Sequence, residues 1–309
     1  MSRTSKTRHQ TARAGKQQSA RERVAAQRAA QQRAERRNRV LFAGGSIVLV
    51  LAIVAVLVLV KALHHGSPSS NTTSAGGVTG TPLPASVSQQ VTGVPAAVLN
   101  TVGAGSVPDF LTQTGQQRAV TTVNGAALTS NGKPEMLYIG AEFCPFCAAM
   151  RWSMAVALGH FGTLSQPLHG IHSSPTDVDP STPTLTFYKT TYQSKYLAFT
   201  PVENETVDRA ALQPVTPRQQ AVWTKYGGNS FPFIDVGGKY IVPLLYDPAV
   251  LKGMTWSQVA AALHDPSSPV AKSANGAANY LIAAICKTTG NSPASVCSAP
   301  VIKSLQRQF

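Results

Sequence analysis

Acid is scarce in this chain. It carries 13 Asp and Glu against 27 Lys and Arg, for a formal net charge of +14 at pH 7. The imbalance is uneven: residues 1–39 hold twelve of the cations, from Arg3 to Arg39, against Glu22 and Glu35, a net +10 that leaves only +4 for the rest. That basic tail also has no Phe, Tyr or Trp. A cationic segment that grips single-stranded nucleic acid interleaves aromatics for base stacking, so no nucleic-acid partner is expected. Missing too are a Walker loop, a G-x-S-x-G elbow and a dinucleotide fingerprint, the usual sequence warrants for nucleotide hydrolysis, serine-nucleophile chemistry and NAD binding. No internal repeat is visible, which argues against a solenoid.

Charge vanishes altogether between Val40 and Val60, in VLFAGGSIVLVLAIVAVLVLV. As a helix, about twenty such residues span ~30 Å of hydrocarbon, so residues 40–62 are expected to cross a membrane. The run is longer than the ~7–15 residues of a signal-peptide core, which makes an anchor the better reading than a cleaved leader. Twelve cations precede the span and Lys61 alone follows closely, which puts the N-terminus in the cytoplasm and the remainder outside. Residues 1–39 are then a basic cytoplasmic tail resting on the bilayer. Residues 63–92, rich in Gly, Ser, Thr and Pro, read as a flexible tether, and 93–309 as an extracytoplasmic globular domain.

Cysteine is sparse, four in all, and falls into two pairs. The first lies in Gly140-Ala141-Glu142-Phe143-Cys144-Pro145-Phe146-Cys147, between an apolar strand (Met136–Ile139) and an apolar-periodic segment read as a helix to about Phe161. At such a junction the helix N-terminus offers unpaired N–H groups and partial positive charge, which favour the first sulfur as thiolate. Cys144 is therefore the expected nucleophile and Cys147 the resolving cysteine. Pro145 and Phe146 bring no cation between them, so a moderate redox potential is expected, and no cofactor beyond the dithiol. Two other readings stay open at this stage. Zinc would need two more ligands, His169 and His172 being nearest, and Cys144–Cys147 could be a plain structural disulfide. The second pair, Cys286 and Cys297, encloses a polar loop that a structural disulfide would staple in an oxidising compartment, with an electron-relay role as the alternative.

Further elements follow from local signals. Val94–Val102 reads as a short helix, Thr122–Leu128 as an extended piece with an Asn-Gly turn, and residues 169–183 as a Ser/Asp/Pro loop. Thr184–Lys189 and Tyr196–Phe199 read as strands. Thr216 and Thr255 are expected N-caps of helices ending near Tyr226 and Leu263, and Ala277–Cys286 a last strong helix. Phe233–Val236 and the strand after Gly237-Gly238 read as a hairpin.

The Cys144-Pro145-Phe146-Cys147 junction, with Ser230-Phe231-Pro232-Phe233 before that hairpin, resembles the active-site signatures of the thioredoxin-like superfamily. The resemblance implies an α/β fold with a mixed central sheet flanked by helices, a cis Pro232 facing the dithiol, and Phe231 as a substrate-facing residue. GAEFCPFCAAMRW, GIHSSPTDVDPSTPTLTFYK, YLAFTPVE and FPFIDVGGKY together are more closely similar to domain-of-unknown-function family 929, which brings no established substrate. Two departures from an ordinary thioredoxin stand out. Tyr138 occupies the position six before Cys144 where a buried acid is usual, with Glu142 nearby but expected to be exposed. Cys147 and Pro232 lie 85 positions apart, about twice the minimal spacing, which implies an insertion within 162–215.

The expectation is a membrane-anchored thiol–disulfide oxidoreductase. Its substrates would be secreted or membrane proteins, and a separate redox partner would recycle it. The competing expectation is a tethered binding or assembly module of the same fold.

Overall fold

The computed structural model describes residues 79–309. The basic tail expected at 1–39, the span at 40–62 and the first part of the tether lie outside them. Among the described residues no helix is long and apolar enough to cross a membrane.

The tether gives way to packed structure earlier than residue 92. Thr81–Pro82 form a strand, β1, and Ala85–Thr92 a helix, α1. Leu83, Val87, Val91 and Val94 are all buried. Their spacing of about one helical turn is an apolar stripe hidden among Ser, Gln and Pro, and it docks this segment on the core.

The chain continues through α2 (Ala96–Val102), α3 (Val107–Thr114) and the short strands β2 (Thr121–Thr122) and β3 (Thr129–Ser130). The long strand β4 (Lys133–Gly140) then feeds α4 (Pro145–Gly159). Four small strands follow: β5 (Thr163–Leu164), β6 (His169–His172), β7 (Pro183–Thr186) and β8 (Tyr192–Gln193). Next come β9 (Ala198–Glu203), α5 (Pro217–Gly227), β10 (Phe233–Val236) and β11 (Tyr240–Ile241). Helices α6 (Trp256–Ala262), α7 (Gly276–Thr288), α8 (Ala294–Cys297) and α9 (Pro300–Gln306) follow these strands.

The result is a mixed α/β architecture. The main sheet runs β2-β11-β10-β4-β3, with β9 added beside β4. Only β4 and β9 are parallel, in a register that sets Gly140 opposite Glu203. Pro201 sits inside β9 without cost to the sheet, because β9 pairs only with β4 and has a free edge. Gly237 and Gly238 turn the β10–β11 hairpin at φ of +71° and +72°, a region L side chains avoid.

Residues 162–215 hold more regular structure than a loop and two strands. His169–His172, expected in a loop, is strand β6 at the centre of a second sheet ordered β1-β6-β7, and β5 pairs with β8. With His at both ends and only four residues, β6 carries too little alternation to be read as a strand.

Helix α4 is the centre of the core. From Cys147 to Leu158 every residue is buried, because the helix is covered by the main sheet, β7, α1 and α7. Neighbouring side chains also grip it. Trp152 Nε1 donates to the Pro183 carbonyl at 2.9 Å, Thr184 Oγ1 to the Ala148 carbonyl at 2.8 Å, and Ser153 Oγ to the Ala274 carbonyl at 2.8 Å. Each large apolar side chain buried here contributes roughly 1.5–3 kcal/mol.

Candidate functional site

Cys144 is the N-cap of α4. Its backbone is extended, Pro145 occupies the first helical turn where a missing N–H is harmless, and its sulfur accepts the Cys147 N–H at 3.2 Å. Neither Cys144 nor Cys147 is disulfide-bonded, and their exposures are 4% and 0%.

The two sulfurs are electrostatically unequal. The hydrogen bond from the Cys147 thiol lowers the pKa of Cys144; the backbone N–H groups of Cys147 and Phe146 and the charge of Arg151 add to this, and together they overcome burial. Burial pushes the Cys147 thiol well up, and its contact with Cys144 pushes it further. One sulfur is thus poised as a nucleophile and the other holds its proton.

Beneath the dithiol lies a buried polar group that the motif alone does not reveal. Arg151, on α4, donates from Nε to Glu203 Oε1 at 2.9 Å, from Nη2 to Oε2 at 2.6 Å, and from Nη2 to the Ala141 carbonyl at 2.8 Å. Both side chains are fully buried. The guanidinium also lies 5.9 Å from the centre of the Tyr138 ring. The Tyr138 hydroxyl is buried without a hydrogen-bond partner, and burial raises its pKa. Gly140 makes room for this ring: a Cβ there would meet the Tyr138 hydroxyl at 2.0 Å. The readable sign was Arg151 itself, the only charged residue between Pro145 and Gly159. A cation inside an apolar helix requires a buried partner.

Glu142 is buried, at 1% exposure, and not on the surface as expected. Its Oε1 accepts the hydroxyls of Thr186, at 2.6 Å, and Thr79. Burial raises its pKa against these two bonds. Both partners are remote in sequence, so nothing local to the motif signals them.

An aromatic collar covers the sulfurs. Phe143, Phe146 and Phe231 pack against the cluster of Ala141, Cys144 and Cys147. Phe231 meets Phe143 edge-on at 6.2 Å and stacks on Trp223 at 5.0 Å. The Phe231–Pro232 peptide is cis. Two loops of the 162–215 region reach this collar. The Ser174 N–H donates to the Phe143 carbonyl at 2.9 Å. Arg209 lies 3.7 Å over the Phe143 ring and pairs with Asp177 at 2.9 Å.

The remaining sequence candidates lie elsewhere. Cys286 and Cys297 form a disulfide between α7 and α8, with Cα atoms 5.5 Å apart. The His172 ring sits 4.7 Å from that of Trp256. Among the described residues no three His, Cys, Asp or Glu side chains gather as a metal site.

Fold and site together define a mixed α/β protein with an unpaired, unequal dithiol at a strand-to-helix junction. The chain belongs to the family of the domain of unknown function DUF929, whose profile matches residues 119–287, more than half of its length and all of this site. No curated protein and no solved structure matches it.

Proposed function

We propose that this protein is a membrane-anchored, extracytoplasmic thiol–disulfide oxidoreductase of thioredoxin-like fold. The observation that carries the proposal is the inequality of the two sulfurs at the N-terminus of α4: Cys144 is held toward thiolate, and Cys147 behind it is held as a thiol. Two further features support the fold reading. A parallel β4–β9 pair flanks the dithiol helix, and a cis Pro232 leads into the antiparallel hairpin. The charge-free segment 40–62 behind its basic tail supports the anchor and the bilayer as a partner.

In the reducing direction the Cys144 thiolate attacks one sulfur of a substrate disulfide. That S–S bond breaks, a mixed disulfide forms on Cys144, and the departing substrate sulfur takes up a proton. Cys147 then gives up its proton and attacks Cys144 Sγ, which releases the second substrate thiolate and leaves Cys144–Cys147 oxidised. Two electrons have passed to the substrate, and a recycling partner with its own dithiol returns them. The oxidising direction is the same sequence reversed, and the potentials of the partners set which one runs. Phe231 and the backbone at Pro232 would align the substrate strand beside Cys144, while Arg151 favours the charged sulfur from below.

A second reading, a tethered binding module with an idle dithiol, is favoured by one observation: Cys144 is only 4% exposed beneath its aromatic collar. Insulin reduction and refolding of a scrambled substrate discriminate between the two. The full chain is expected to turn over, Cys144→Ser to be inactive, and Cys147→Ala to accumulate mixed disulfides. Equal activity of the parent and Cys144→Ser would sink the enzyme reading.

A further inference from the structure

A second cavity lies away from the dithiol, where α2 meets α7, α8 and α9. It holds about 290 Å³. Leu99, Ile282, Val296 and Ile302 give it apolar walls, and two polar side chains, Asn279 and His160, also line it.

Each polar side chain keeps one unsatisfied atom. Asn279 is fully buried; its Nδ2 donates to the carbonyls of Leu99 at 2.8 Å and Gly103 at 2.7 Å, which fixes the amide, while Oδ1 has no partner. His160 caps the C-terminus of α4, and its ring bonds the Val94 backbone, yet Nε2 is buried and unpartnered. Burial lowers the His160 pKa, so the neutral ring offers a nitrogen lone pair. A buried acceptor without a donor is costly, and an apolar space with two of them is completed by a molecule that brings hydrogen.

Size narrows the class further. An apolar cavity of roughly 150 Å³ accommodates a single benzene ring, so this one accommodates about two fused rings or a ring with a short alkyl chain. We propose that the α2–α7–α9 cavity binds a small, largely apolar molecule bearing a hydroxyl donor, of the hydroxylated bicyclic arene class, with the hydroxyl directed to His160 Nε2 and Asn279 Oδ1. The site does not depend on the dithiol chemistry.

Equilibrium dialysis of the full chain in lipid nanodiscs, with empty nanodiscs as the blank, tests this with 2-naphthol, its methyl ether 2-methoxynaphthalene, and naphthalene. The expected result is one saturable site per chain, with 2-naphthol held roughly tenfold more tightly than either molecule lacking the donor. Val301→Trp, a half-buried wall position, should abolish binding by filling the cavity. Ser295→Trp, at the exposed rim, does the same should the first variant fold poorly. Cys144→Ser should bind as the parent does. Absence of saturable binding above the blank overturns the proposal. So do equal affinities for naphthol and its ether, binding that survives in a folded tryptophan variant, or loss of binding in Cys144→Ser.

Discussion

Replacing Arg151 by Met separates what this residue does for stability from what it does for the dithiol. In the parent, Glu203 receives two hydrogen bonds from the guanidinium, at 2.9 and 2.6 Å, and one from the Phe187 N–H at 3.2 Å, all in a fully buried setting. Arg151→Met leaves a buried carboxylate with the Phe187 donor alone. Breaking one side of such a pair costs about 3–5 kcal/mol, mostly through the stranded charge. Arg151→Met/Glu203→Gln removes both charges and keeps an acceptor for Phe187, so it should regain most of that loss. The expected coupling between the two sites is at least ~2 kcal/mol.

Reactivity should not recover in parallel. The Arg151 charge favours thiolate at both Cys144 and Cys147, and the neutral double variant lacks it. The pKa of Cys144 should therefore rise in the single and the double variant alike. Urea unfolding of the two single variants and the double variant gives the stability cycle, and iodoacetamide alkylation of Cys144 across pH gives the thiol titration. A double variant as unstable as the sum of its parts would refute the stranded-charge argument. A parent-like titration in the double variant would refute the electrostatic one.

Three further outcomes are expected. Asp235, buried in β10, has its carboxyl raised from 3.8 to about 6 by burial; its protonated form therefore stabilises the fold fully below pH ~4, and about 3 kcal/mol is lost as pH rises through 6. Asp235→Asn should then gain stability over the parent at pH 7.5 but not at pH 4, and urea midpoints at the two pH values check this. The Cys286–Cys297 disulfide closes a separation of 11 residues, so Cys286→Ala/Cys297→Ala should cost about 3 kcal/mol in the same unfolding assay while leaving the Cys144 titration unchanged. Arg209→Ala removes the cation stacked on Phe143 and should speed alkylation of Cys144 severalfold; an unchanged rate would mean that the collar stands without it.

The sequence carried the local signals and missed the distant ones. Thr216 and Thr255 form reciprocal capping boxes with Gln219 and Gln258, and a cap is legible because its partners lie three residues apart. The dithiol junction was legible for the same reason: an apolar strand, a tight turn and Pro145 all fall within a dozen residues. Glu142 was misjudged because exposure is the default for a carboxylate, and what overrides the default comes from Thr186 and Thr79, 44 and 63 residues away. Helix α1 was masked by its Ser and Gln content, although its apolar stripe was present. The partnership of Arg151 with Glu203 needed the parallel register of β4 and β9, which no local pattern encodes.

Burial and ionisation pull in opposite directions at Cys144, and which one prevails determines what limits its chemistry. A sulfur so little exposed should by desolvation alone be a poor thiolate. Its two backbone donors, the Cys147 thiol and the Arg151 charge nonetheless bring its pKa below the ordinary value. Ionisation is thus already favoured before a substrate arrives, and the barrier left to overcome is access past Phe143, Phe146 and Phe231. The two limits have different kinetic signatures. A thiolate-limited site shows alkylation that follows the thiol titration and responds to Arg151. An access-limited site shows a rate that Arg209→Ala raises by the same factor at every pH, because opening the collar leaves the charges beneath it untouched. The buried ion pair lies on the opposite side of the sulfur from the collar's Arg209–Asp177 contact, so the two signatures should appear independently when the variants are combined.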